Sequence, residues 1–164
     1  KQAAKTMNFL TEHGISSYGE LESKLNAVSA RRDTAHAEIK RIESRSAELA
    51  LVMKHAGTYR QLKPLYDRYR KSNDKEKFLR GHESEIILFE AAARELKRLG
   101  AVPLPTTESM KKELANLTAE KERLLAEYKA ARTEAQEYDT VKQNVDALLT
   151  VPKEQEQQRR HELE

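Results

Sequence analysis

The chain contains no cysteine, which excludes both a disulfide framework and a thiolate metal site. It has no tryptophan, and its only aromatics are six Tyr and three Phe. Just 38% of the 164 residues are apolar while 35% are charged, too polar a mix for a core of several layers. It suits elongated helices that bury a narrow stripe. No apolar run approaches the roughly 18 residues of a membrane span, and no signal-peptide pattern opens the chain. The expectation is a cytoplasmic setting with no membrane contact. The first residue is Lys1, so the chain is read as a fragment that follows a missing upstream domain.

Catalytic signatures are equally scarce. The five glycines are isolated, so there is no Gly-rich phosphate loop and no Walker pattern. No Ser occupies a nucleophile elbow. His13, His36, His55, His82 and His161 are scattered, without an HxH or HExxH pair, so no metal and no cofactor are expected. Glu83, Glu85 and Glu90 read most simply as a solvated helix face. Tyr59, Tyr66 and Tyr69 are the only candidates for a nucleophile that attacks a phosphodiester. Such a tyrosine normally works beside a histidine-bound metal, which these residues do not supply. No catalytic residue is assigned.

What the chain has in quantity is heptad spacing. Leu21, Leu25, Val28, Ala35, Ile39, Ile42, Leu49, Met53 and Ala56 follow a 4-3 pattern interrupted at Arg32 and Ser46. Met110, Leu114, Leu117, Leu124, Tyr128, Ala131, Ala135, Tyr138, Val145 and Leu149 repeat it, interrupted at Lys121 and Lys142. A period of 3.5 sustained over about 40 residues makes a straight seam that must face another helix. The fold class expected is all-α: a long antiparallel coiled-coil hairpin with a small helical bundle at one tip. Pairing the seams puts Leu25 near Val145, Ile39 near Ala131 and Met53 near Leu117. The polar interruptions cover the seam with their stems and send their heads to water.

Local signals divide the chain into segments. Residues 1–16 hold a short helix (2–13) with Met7, Phe9 and Leu10 as its apolar side and Gly14 as its left-handed cap. Ser17 to Glu20 fits a capping box that opens a heptad helix over 17–56, and Gly57-Thr58 marks a break. Residues 57–100 form the tip: a helix over 59–71 containing Pro64, turn chemistry at Ser72-Asn73-Asp74 with a ready N-cap, and a helix over 75–99. That second helix carries the stripe Phe78, His82, Ile86, Phe89, Ala93, Leu96 and Leu99. After Gly100 an extended connector leads to the second heptad helix within 101–150, and residues 151–164 form a charged tail expected to fray. His82, on the apolar side, is expected to be packed and hydrogen-bonded.

Charge is unevenly distributed. Residues 57–82 carry eight basic and three acidic groups, whereas residues 83–164 carry thirteen basic and seventeen acidic. The basic segment also holds Tyr59, Tyr66, Tyr69 and Phe78. Lys and Arg neutralise phosphates, and Tyr stacks on unpaired bases. Two readings stay open for it: aromatics packed as a small core ringed by solvated charge, or a nucleic-acid contact. The residues assigned to the second are Arg60, Arg68, Arg70, Lys71, Lys75 and Arg80, with Tyr69 as stacker.

The run Lys63-Pro64-Leu65-Tyr66-Asp67-Arg68-Tyr69-Arg70-Lys71, then KEKFLRGHESEIILFEAAARELKRLG and the capped heptad helix, resembles the C-terminal region of bacterial relaxases. These are the mobilisation nucleases of plasmids and of integrative conjugative or mobilisable elements. The Tyr66–Tyr69 and Phe78–His82 spacings contribute, and HGISSYGELESKL resembles the start of that region. Relaxases nick DNA with a tyrosine and a histidine-bound metal in an N-terminal nuclease domain, and neither motif occurs here. The resemblance therefore implies a non-catalytic module in conjugative DNA mobilisation, with DNA, the relaxosome or the coupling protein as partners. The alternative is a structural coiled-coil spacer or dimerisation domain without a nucleic-acid role, in which the seams pair between two copies as a homodimer.

Overall fold

The computed structural model describes residues 1–163. All regular structure among them is α-helical: α1 (Gln2–Glu12), α2 (Tyr18–Lys71), α3 (Lys75–Arg98) and α4 (Thr107–Glu162). The all-α class is thus as expected from the periodicity. The chain forms two compact units, one from Lys1–Ile39 with the segment from Arg123 onward, the other from Lys40–Glu122. Among the described residues no helix is long and apolar enough to cross a membrane.

In the first unit α2 and α4 run antiparallel. Tyr18 contacts Asp146, Arg31 contacts Glu134, and the His36 ring lies 5.6 Å from Tyr128. Its core is Leu21, Val28, Ala135, Tyr138 and Val141, with Phe9, Leu10, Ile15, Leu25 and Val145 packed against it. The chain reaches α2 through two local devices. Gly14 adopts φ +63°, which lets the Gly14 and Ile15 N–H groups bond back to Thr11 and Leu10 in a Schellman cap whose apolar pair is Leu10 and Ile15. Ser17 Oγ then accepts from the Glu20 N–H at 3.2 Å. Glu20 reaches back to the Ser16 N–H at 2.8 Å rather than to Ser17 itself.

The pairing register differs from the expected one. Arg31 on Glu134 and His36 beside Tyr128 bracket Ala131, so Ile39 lies beyond it rather than opposite. The offset is about one and a half turns. Heptads alone leave such slips nearly degenerate; here the cross-helix polar contacts mark the register adopted. In α1 the buried residue is Thr6, while Met7 is 58% exposed. Thr6 is tolerated inside because its hydroxyl accepts from Asn144 Nδ2 at 3.3 Å, which meets the hydrogen-bonding demand of a buried polar group.

In the second unit α2 packs against both α3 and α4. Ile42, Leu49, Val52 and Ala56 of α2, Ile86, Phe89, Ala92 and Leu96 of α3, and Met110 and Leu117 of α4 are all buried. Salt bridges flank the α2–α4 seam: Arg45 to Glu113 at 2.7 Å and Lys121 to Glu43 at 3.4 Å. Lys121, an interruption in the heptads, thus sends its ammonium to a carboxylate at the edge, as its long stem allows.

The break expected at Gly57-Thr58 does not occur: α2 is continuous to Lys71. Thr58 does not cap a new helix but donates back to the Lys54 carbonyl one turn earlier. Glycine costs a helix interior only about 1 kcal/mol, and the buried Val52 and Ala56 hold the preceding turn in place. Pro64 also lies inside the helix. On α4 the expected fraying is likewise absent, since the helix extends over the charged segment to Glu162. Residues there such as Glu156, Arg159 and Arg160 are good helix formers. Glu164, the end of the expected tail, lies outside the described residues.

Candidate nucleic-acid interface

The basic segment spans the end of α2, a three-residue turn and the start of α3. Asp74 stops the chain from running straight on: its carboxylate accepts from the Lys77 N–H at 3.1 Å and starts α3. Lys71 and Lys75 therefore flank one turn, within the roughly 14 Å that four peptide units can span.

The seven candidate residues fall into different environments. Arg60 is committed internally, donating to Thr107 Oγ1 at 2.9 Å and to the Pro105 carbonyl. It ties the connector before α4 to α2, and its guanidinium is occupied. Arg68 lies over the Phe78 ring, 5.7 Å from its centroid. Tyr69 is half-buried between Tyr66 (5.9 Å) and Phe78 (6.0 Å), so one side of its ring is spent on packing. Arg70, Lys71, Lys75 and Arg80 are exposed and make no ion pair with the described residues.

Helix electrostatics separates these cations. Arg68, Arg70 and Lys71 occupy the last turn of α2, where the negative end of the helix dipole favours positive charge. Their presence has a folding explanation. Lys75 and Lys77 stand in the first turn of α3, where the same dipole opposes them, offset locally by Asp74 and Glu76, while Arg80 follows in the second turn.

α3 is not regular throughout. His82 has φ −137° and ψ 26°, so the helix kinks one turn after Phe78. The His82 ring packs on Phe78 at 4.6 Å, as an apolar-face histidine should. The expected hydrogen bond is missing: buried Nδ1 has no partner among the described residues, and the nearest carboxylate oxygen, on Glu85, lies 3.6 Å away. Ala92, rather than Ala93, completes the buried stripe.

Beyond the corner, the facing sides of α2 and α3 border an open groove of about 410 Å³. Tyr59 and Tyr66 stack on the buried Phe89 at 4.8 and 4.3 Å, with ring planes within 27° and 25° of parallel. Arg70 lines the same groove with Glu90 and Arg94. Arg94 was not among the candidates read from the sequence, because its neighbours there are acidic and alanine-rich. Only the packing of α3 on α2 brings it beside the tyrosines. Its i, i+4 spacing from Glu90 was the one available hint.

Comparison of the chain with protein-family models, with curated proteins and with solved structures gives no match.

Proposed function

We propose that this chain is a DNA-contacting, non-catalytic module of a relaxase acting in conjugative DNA mobilisation. In a cytoplasmic relaxosome it holds DNA and presents its remaining surfaces to relaxosome or coupling-protein partners. The observation that carries the DNA contact is the α2–α3 corner. Lys71, Lys75 and Arg80 are exposed there without ion-pair partners among the described residues, and Lys75 opposes the dipole of its own helix. Cations placed against local stability gain from an external polyanion. The link to relaxases rests on the sequence resemblance. Most seam residues, among them Leu21, Ile42, Met110 and Ala131, find apolar partners within the chain, as a self-contained module requires.

Anisotropy titrations of labelled single-stranded and duplex DNA at several salt concentrations test the DNA contact. Binding is expected to weaken steeply with salt. The triple variant Lys71→Ala, Lys75→Ala, Arg80→Ala should lower the slope of log K against log salt by roughly two to three, with helicity unchanged. No binding at low salt, or an unchanged slope, defeats the proposal.

A further inference from the structure

We propose that the groove between α2 and α3 takes one unpaired nucleotide of single-stranded DNA. The base packs on the open side of the Tyr59–Phe89–Tyr66 stack, and the adjoining phosphate sits on Arg70 and Arg94. This rests on the DNA reading above and specifies the strand form and the residues that recognise it.

Four features support it. The groove, about 410 Å³ and open to solvent, leaves room for one base. Its aromatic wall is rigid, because Phe89 is 5% exposed and anchors both tyrosines by near-parallel stacking. A pre-ordered ring loses little entropy when a base packs on it. The Tyr59 and Tyr66 hydroxyls make no hydrogen bond with the described residues, which leaves donors and acceptors for a base edge.

The charges are arranged for the same ligand. Lys63 and Asp67 neutralise each other at 3.0 Å, and the groove's other ionic groups are Arg70, Arg94 and Glu90. Neither arginine has an ion-pair partner among the described residues. Both can engage phosphate oxygens in the bidentate manner of guanidinium. Glu90 accepts hydrogen bonds, as an exocyclic amino group on a base supplies.

The test uses the intact chain and a single strand of roughly 12 nucleotides carrying one fluorescent purine analogue, with the matching duplex in parallel. Binding of the single strand should quench the analogue. Arg94→Ala, at an exposed position, should weaken single-strand binding about tenfold and leave duplex affinity unchanged. Tyr66→Leu should abolish the quenching; since this side chain stacks on the core, Arg94→Ala decides if that variant unfolds. Unchanged single-strand affinity in Arg94→Ala, absence of quenching, or equal competition by polyglutamate overturns the groove assignment while the corner contact stands. Failure of both DNA forms to bind at low salt overturns the corner contact as well.

Discussion

The Tyr18 hydroxyl donates to Asp146 Oδ1 at 2.6 Å, joining the first turn of α2 to the facing stretch of α4, 128 residues later in sequence. That bond, reinforced by partial desolvation and by the negative charge of Asp146, raises the Tyr18 phenol from 10.0 to about 12. Since the folded value lies above the unfolded one, the contribution to stability is fully present below pH 10 and disappears as pH rises toward 12. Tyr18→Phe should therefore remove a late component from the phenolate absorbance titration. It should also be less stable than the parent chain at neutral pH, with the gap closing above pH 10. A titration identical to the parent's would show that the bond does not hold in solution.

Two glycines should respond to alanine with opposite signs. Gly100 sits at φ +70°, where its N–H and that of Ala101 bond back to Lys97 and Leu96 and close α3. An added Cβ there meets no atom within 4 Å, so the penalty is purely conformational. Gly100→Ala should cost about 1–2 kcal/mol. Gly57 lies within α2, also with open space around it. Gly57→Ala should stabilise by about 0.5–1 kcal/mol. Urea unfolding of both variants measures the two signs. A destabilised Gly57→Ala would mean that α2 breaks at residue 57.

That contrast shows which parts of the fold were legible in the sequence. Gly14, Gly100, the Ser17–Glu20 box and Asp74 act through atoms within about five residues of themselves, so their roles follow from local spacing. The seams were legible because burial repeats: Leu21, Val28, Ala35, Ile42 and Leu49 are all at most 5% exposed. Gly57 misled because its propensity is weak and is overridden by the packing of its neighbours. Thr6 could not be foreseen as buried, since the group that satisfies it, Asn144, lies 138 residues away. The candidate site divides in the same way. Its exposed corner was readable as a charge run, whereas Arg94 joins Tyr59 and Tyr66 only through the packing of α3 on α2. Arg60 looked like any other surface cation, yet its partners are Pro105 on the connector and Thr107 at the start of α4, more than 40 residues away.

Acid should weaken the chain through a small set of carboxylates. Glu20 is held below its ordinary 4.5 mainly by the Ser16 N–H and then by the Ser16 hydroxyl. Glu43 is lowered first by the hydrogen bond from Lys121 and then by the charge of Lys40. Glu95 is lowered by its hydrogen bonds from Arg98, at 2.8 and 3.0 Å. In each case the folded value lies below the unfolded one. The stabilising contribution is therefore present above 4.5 and is lost as pH falls through the folded value. These groups face solvent, where salt screens the two ion-paired ones, whereas Glu20 accepts from a backbone N–H that bears no net charge. Stability followed by helicity should decline below pH 4.5. Glu20→Gln should flatten that decline at low and high salt alike, and added salt should flatten only the part due to Glu43 and Glu95. A profile in which Glu20→Gln changes nothing below pH 4.5 would show that the cap opens in solution.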